Sequence, residues 1–442
     1  MSKYIIHGGK PLNGEVSIRG AKNASWKELI ISMLTHHPVQ ITNIPQISDV
    51  KIAESIAKSL GSIITKTGEH SLEIITPNIT NSIIPHGTGE KSRSSFMFAA
   101  PLLIRTGKAI IPLPGGDKLG ARPLDRLFEC FAQMNIHTEF VNDTIVFTSD
   151  KITPTTYTFT KPSHTVTEVI LMTACMVDGQ TILNNAAREP EIDDEIEMLN
   201  SMGAKIRRNP DNLSQIIITG VPWLSGTKHQ VIADRNEAIT FAVAALATQG
   251  TVNILRIDPA IIKKFLDTIE IMGAKVETGK DEVTIAWTKK LTAVNIETEP
   301  EPGFMTDWQA IFSVLLTQAR GCSTVIERIF PSRFQQVEIL EQMGAKIKYF
   351  NPKIKDPENY YHFNADSDRP EYFHGIKIYG PTQLFPFNGT INDLRSGAST
   401  TVAALVAQGK SVINKVEYIE RGYEKLAERL VALGADIEYI KI

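Results

Sequence analysis

Hydrophobic and polar positions along this chain repeat in a fixed order. An Ala-rich apolar stretch, such as AITFAVAALA from Ala238, leads to a glycine and then to a β-branched run such as TVNIL from Thr251. An amphipathic stretch follows, such as PAIIKKFLDTIEIMG from Pro259, with apolar residues at three- and four-residue spacing. The order predicts a buried helix, a stop at a glycine suited to the left-handed conformation, a strand, and a surface helix with one apolar face. The surface helix ends on a second phrase whose first residue is Leu60, Met134, Met202, Met272, Met343 or Leu433. The glycine that opens the β-branched run recurs as Gly107, Gly179, Gly250, Gly321 and Gly409.

Six such copies predict six βαβαββ units and an α/β (α+β) fold. Successive phrases lie 74, 68, 70, 71 and 90 residues apart. The excess in the last interval falls in residues 351–375, a polar segment with three prolines, expected to be a surface insertion.

Composition narrows the class. The chain has 442 residues, 42% of them hydrophobic and 21% charged, with a net charge of −3. That suits a globular protein of two or three domains and gives no overall basic field for nucleic acid. Three scattered cysteines, Cys130, Cys175 and Cys322, argue against a disulfide framework and suit a reducing compartment. No Cys or His spacing suggests zinc, so no metal and no cofactor is expected. The apolar runs FAVAALA and VILMTACMV are too short to span a bilayer and the start lacks a signal-peptide core, so a cytoplasmic protein without a membrane role is expected.

Candidate chemistry is carried by cations next to small residues. Lys22 and Asn23 stand in Gly-Ala-Lys-Asn-Ala, suited to a phosphate. The run Leu113-Pro-Gly-Gly-Asp117-Lys-Leu-Gly-Ala-Arg122-Pro123 predicts an exposed, flexible loop that folds over a ligand. In it, Arg122 suits a bidentate clamp on phosphate or carboxylate. Arg93 and Ser94 precede an apolar helix-like run, a place suited to an anion. Thr306-Asp307 before WQAIFSVLL reads as a helix N-cap, and Arg333, Arg395 and Arg421 also lie at the starts of helix-like runs. Arg333 suits a structural pair with a carboxylate as well as it suits an anion.

These motifs, with the six units, resemble the enolpyruvyl transferases, and among them the UDP-N-acetylglucosamine 1-carboxyvinyltransferase family, over nearly the whole chain. The resemblance implies a two-lobed inside-out α/β barrel with three units per lobe. One lobe would be residues 22–230, the other 1–21 with 231–442, and the active site would lie in the cleft between them. It implies addition–elimination between phosphoenolpyruvate and the sugar 3-hydroxyl of UDP-N-acetylglucosamine, with loss of phosphate, as an early step of cell-wall synthesis. It assigns phosphoenolpyruvate to Lys22, Asn23, Arg122, Arg395 and Arg421. It assigns the nucleotide-sugar to Arg93, Arg122, Pro123, Leu124, Asp125, Arg126, Lys161, Ser163, His164, Asp307 and Ile329, with Asp307 as general base or orienting group.

Asp117 stands where most of the family has the cysteine that fosfomycin alkylates, so Asp117 is the expected acid and resistance to fosfomycin is expected. Other departures are Ser25-Trp26-Lys27 for a small and apolar continuation, Leu127 for histidine, His164-Thr165 for Val-Gly, and Glu420 for aspartate. They leave open an enolpyruvyl transferase with another acceptor and a catalytically weak paralogue that binds UDP-sugar. A repeat protein binding RNA is disfavoured, because no stripe of basic and aromatic residues is present. Only small-molecule partners are expected; the oligomeric state is open, with a monomer as the expectation.

Overall fold

The protein is described here by a computed structural model, covering residues 2–113 and 124–441 but not the side chains of Lys91 and Arg93. Among the described residues, six open sheets share one plan. A short edge strand runs parallel to the first long strand, which pairs antiparallel with a second, which pairs antiparallel with a third. Thr156–Thr158, Gln180–Asn184, Asn212–Thr219 and Lys205–Asn209 form one such sheet. Asn295–Glu297, Gly321–Ile326, Gly375–Gly380 and Lys346–Phe350 form another. In the sheet of Lys108–Pro112, a single parallel bridge between Ile83 and Ile110 takes the place of the edge strand.

The chain divides into two compact units, residues 20–113 with 124–232, and residues 2–19 with 233–441. Each owes part of a sheet to a remote stretch of chain. Ser2–Gly8 lies between Gly409–Asn414 and Asp436–Lys441, with Tyr4 opposite Ile413 on one side and Tyr439 on the other. Asn13–Ser17 is the parallel edge beside Thr251–Leu255, and Lys228–Gln230 is the edge beside Val39–Thr42.

Six helices, one per repeat, occupy the cores: α1 (Lys22–Ile31), α2 (Ala99–Thr106), α3 (His164–Ala174), α4 (Arg235–Ala247), α5 (Thr306–Gln318) and α6 (Leu394–Val406). Every residue of α4 is buried, as are all of α1 after Asn23 and all of α3 after Thr165. Strands alternate instead, as in Thr251–Leu255, so each sheet turns one face to the helices and the other to water. Apolar helices inside and half-polar sheets outside are the inside-out arrangement expected from the sequence. The expected barrels are not closed: each unit holds three separate open sheets, and among the described residues none closes on itself.

The second residue of each phrase, where the surface helix stops, is left-handed: Gly61, Gly203, Gly273, Gly344 and Gly434 all have positive φ, and Asn135 takes φ 61° in the remaining copy. Gly250 differs. Gln249 carries the positive φ there, and a Cβ on Gly250 would stand 1.9 Å from the carbonyl oxygen of Leu12. That glycine is required because the N-terminal segment packs directly on its backbone.

Residues 351–375 also depart from expectation. They are not only surface: Tyr361, Phe363 and His374 are buried and stack on one another, and Arg328 lies over the Tyr360 ring.

Two glycine substitutions separate these causes. Gly203→Ala has open space at its Cβ and only left-handed strain, so it is expected to cost about 1–2 kcal/mol. Gly250→Ala must displace backbone and is expected to cost more than that, as read by equilibrium denaturation of both variants.

Candidate active site

In the 233–441 unit, two arginine-bearing segments meet one carboxylate. Asp307 lies in the first turn of α5 and Arg395 in the first turn of α6. Arg395 Nη2 donates to Asp307 Oδ2 at 2.8 Å, and Arg333 Nη2 donates to Asp307 Oδ1. The Thr306-Asp307 pair was expected to cap α5, but the cap position is Met305 and makes no side-chain cap bond. Thr306 Oγ1 donates instead to buried Glu327 at 2.8 Å. The carboxylate of Asp307 is thus committed to guanidinium groups.

The supports of this cluster are buried or half-buried. Arg333 packs over the Phe330 ring, and its carbonyl accepts a hydrogen bond from Gln309 Nε2 at 2.5 Å. Asp393 caps α6 by accepting from the Ser396 amide, which fixes the turn carrying Arg395. Tyr423 Oη accepts from Arg395 Nη1 at 3.3 Å and shares a 2.8 Å hydrogen bond with Thr240. Burial opposes the charge on Arg395, but Asp307, Tyr423 and Asp234 outweigh it and hold the guanidinium more firmly protonated than usual. Arg421 ends the 3₁₀ segment Val416–Arg421, partly buried. Ile329 is half-buried, its amide donating to Glu327 at 2.8 Å.

In the 20–232 unit, Lys22 opens α1 and its Nζ lies 2.9 Å from the fully buried Asp49. Asn23 follows it, half-buried. Lys27 reaches the backbone carbonyl of Asn23 and pairs with Glu168 of α3 at 2.9 Å. Trp26 is buried edge-on against Phe98. His164, the first residue of α3, is not an ordinary surface histidine. Its side chain is 22% exposed and its Nε2 lies 2.9 Å from the same Glu168.

Burial opposes the imidazolium, but Glu168 and then Glu189 outweigh it, so the His164 pKa is raised. Burial likewise opposes the Glu168 carboxylate, and His164 and Lys27 outweigh it, so its pKa is lowered. Ser163 is the N-cap of α3 without a side-chain cap bond, and Lys161 lies half-buried two residues earlier.

Leu124, Asp125 and Arg126 lead into the Asp125–Gln133 helix. Leu127, which stands where the resembling family has histidine, is fully buried in the core. Asp117, Arg122, Pro123 and the Arg93 side chain lie outside the described residues.

Sequence reasoning missed Tyr423, Thr240 and the pairing of Asp307 with Arg333. It also missed Lys27, Glu28, Glu168 and Glu195 as buried ionisable groups. The available signal was a charged residue inside an apolar helix, as in HTVTEVILMTA, since such a group must find a partner.

The paired shifts predict a stability window. The raised His164 pKa adds stability that is full below the ordinary histidine value of 6.5 and lost as pH rises through its folded value. The lowered Glu168 pKa adds stability that is present above the ordinary glutamate value of 4.5 and lost as pH falls through its folded value. The melting temperature of the native protein should therefore exceed that of His164→Gln most between these values. The gap should shrink as pH is raised well above 6.5; a gap that stays constant would show that the imidazolium is not the source.

The family model described as EPSP synthase (3-phosphoshikimate 1-carboxyvinyltransferase) matches residues 6–430. A UDP-N-acetylglucosamine 1-carboxyvinyltransferase of Prochlorococcus marinus (strain NATL2A) is 36% identical over 98% of this chain and 90% of its own. The UDP-N-acetylglucosamine 1-carboxyvinyltransferase 2 of Carboxydothermus hydrogenoformans is 36% identical over the full length of both. Among solved structures, the enolpyruvyl transferase NikO from Streptomyces tendae superposes with a TM-score of 0.85 at 22% identity, covering 100% of this chain and 99% of its own. EPSP synthase from Acinetobacter baumannii superposes at 0.72 and 17% identity over the full length of both. These two establish the shared α/β fold. The chain belongs to the EPSP synthase family of enolpyruvyl transferases, and within it to the group of the UDP-N-acetylglucosamine 1-carboxyvinyltransferases.

Proposed function

We propose that the protein transfers the enolpyruvyl group of phosphoenolpyruvate to the 3-hydroxyl of UDP-N-acetylglucosamine, releasing phosphate, at the entry to peptidoglycan precursor synthesis. The observation that carries this reading is the full-length 36% identity to relatives of that name. Its chemistry fits the cluster around Asp307. The hydroxyl oxygen adds to C2 of phosphoenolpyruvate while C3 takes a proton. C3 then loses a proton, the C2–C3 double bond re-forms, and phosphate leaves C2. Asp307 is proposed to take or orient the hydroxyl proton. Two guanidinium groups hold its two oxygens, which favours orientation over strong basicity.

Phosphoenolpyruvate brings a phosphate and a carboxylate, and Lys22, Asn23, Arg122, Arg395 and Arg421 are proposed to bind them. Arg395 has donors beyond the one held by Asp307, so it can keep that partner while engaging an anion. The nucleotide-sugar is assigned to Arg93, Arg122 to Arg126, Lys161, Ser163, His164, Asp307 and Ile329. The imidazolium of His164 at the start of α3 supplies positive charge suited to a diphosphate. Asp117 is proposed as the acid that protonates C3. The protein is proposed to act as a monomer in the cytoplasm.

Incubation with phosphoenolpyruvate and UDP-N-acetylglucosamine should release phosphate and yield the enolpyruvyl sugar nucleotide in equal amounts. Phosphate release only with a different hydroxyl acceptor would reassign the substrate. Asp117→Ala should lower kcat by about 10²–10⁴-fold with binding retained. Unchanged turnover would remove Asp117 from the mechanism.

A carboxylate is a poorer nucleophile than a thiolate towards an epoxide. Fosfomycin should therefore cause no time-dependent inactivation of the native protein, whereas Asp117→Cys should acquire it. Covalent labelling at Asp117 of the native protein would overturn this.

A further inference from the structure

Three remote residues of the 20–232 unit converge in its interior: Glu28 from α1, Asp194 from the Pro190–Ser201 helix, and His229 from the edge strand Lys228–Gln230. His229 Nε2 lies 3.1 Å from Asp194 Oδ1 and 3.6 Å from Glu28 Oε1. One donor atom from each residue falls within 4.8 Å of the other two, and all three residues are buried. Neither carboxylate oxygen of Glu28 makes a hydrogen bond, although Glu28 is only 1% exposed. A buried carboxylate aimed at two other metal-ligating groups, with no hydrogen bond of its own, must be neutralised by a proton or by a bound cation.

We propose that Glu28, Asp194 and His229 form a structural site for a divalent cation of the zinc class. Ligand atoms bound at 2.0–2.2 Å in a tetrahedron stand about 3.4 Å apart, and the two separations from His229 bracket that value. One imidazole nitrogen and two carboxylates suit zinc better than calcium or magnesium, which take oxygen alone. Two carboxylates and a neutral imidazole carry two negative charges, which one divalent cation cancels. The second oxygen of Glu28 is available as a fourth donor.

The outer contacts hold the ligands in place, as metal sites require. Asp194 Oδ2 accepts the amide of Ile232 at 3.2 Å, and the His229 carbonyl accepts from Thr42 Oγ1 at 3.1 Å. His229 is further fixed by its register opposite Ile41. A cation here would tie the start of the unit to its last strand. It would also anchor α1, the helix that opens with Lys22. The site stands apart from the assignment of the acceptor.

The competing occupants are protons, which could neutralise the same groups, and metal analysis separates the two. The full-length protein, loaded with excess zinc and desalted, should retain about one equivalent by elemental analysis. Stripping with a chelator should lower its melting midpoint, and zinc should restore it by at least about 2 °C, with magnesium ineffective. His229→Gln should lose both the bound zinc and the zinc-dependent shift. Retention of less than about a tenth of an equivalent by the native protein, or no shift on adding zinc, would overturn the proposal whether or not the variant folds. A folded His229→Gln that keeps the zinc and the shift would place the metal elsewhere and overturn it equally.

Discussion

A helix with no face left to water must settle every polar group inside the protein. That constraint governs this fold. The helices α1 to α6 are enclosed by sheets whose other faces already meet solvent, so no stripe of α4, and little of α1 or α3, can be polar without a partner. Most of their length answers with alanine, leucine, isoleucine and small hydroxyl residues that bond back to their own helix, as Thr240 and Thr401 do. The exceptions fall into two groups. Some charges sit at first turns, as Lys22, Asp307 and Arg395 do. Others lie deeper and pair with one another, as Lys27 does with Glu168.

The same constraint explains why the repeat was legible. Enclosure forces an apolar run, and the run must end where the chain turns back into a sheet. Both demands leave local marks, and the left-handed ends at Gly203 and Gly273 match them. What the periodicity could not show is which strand stands beside which. The parallel edges join segments far apart in the chain, such as Asn13–Ser17 with Thr251–Leu255. No local pattern encodes that partner. Gly250 records the pairing only through a steric demand from Leu12, visible once both backbones are in place. The 351–375 segment misled for a related reason. Its prolines and charges mark a loop, while the aromatic cluster that buries Tyr361 and Phe363 depends on His374 at the far end of that loop.

At the candidate site, residue type was more legible than residue task. Thr306 and Asp307 have the composition of a helix cap, and the motif alone supports that reading. Two nearby guanidinium groups change the task, because an ionised carboxylate gains more from them than from amides at a helix end. Tyr423 carried no motif of its own. Its hydroxyl is enclosed and must bond, and in doing so it links Arg395 to Thr240 of α4.

The departures from the family pattern can be weighed in the same terms. Read along the chain, Lys27 and His164 are separate irregularities, and a scatter of irregularities suggests a decaying function. In the structure they share one carboxylate, Glu168. Placed alone in this core, Lys27 would be a buried cation without a counter-charge, and Glu168 alone would be a buried anion. Each is tolerable because the others are present. Trp26 beside Lys27 fills the adjoining volume against Phe98. The set ends in the partly exposed His164 at the start of α3.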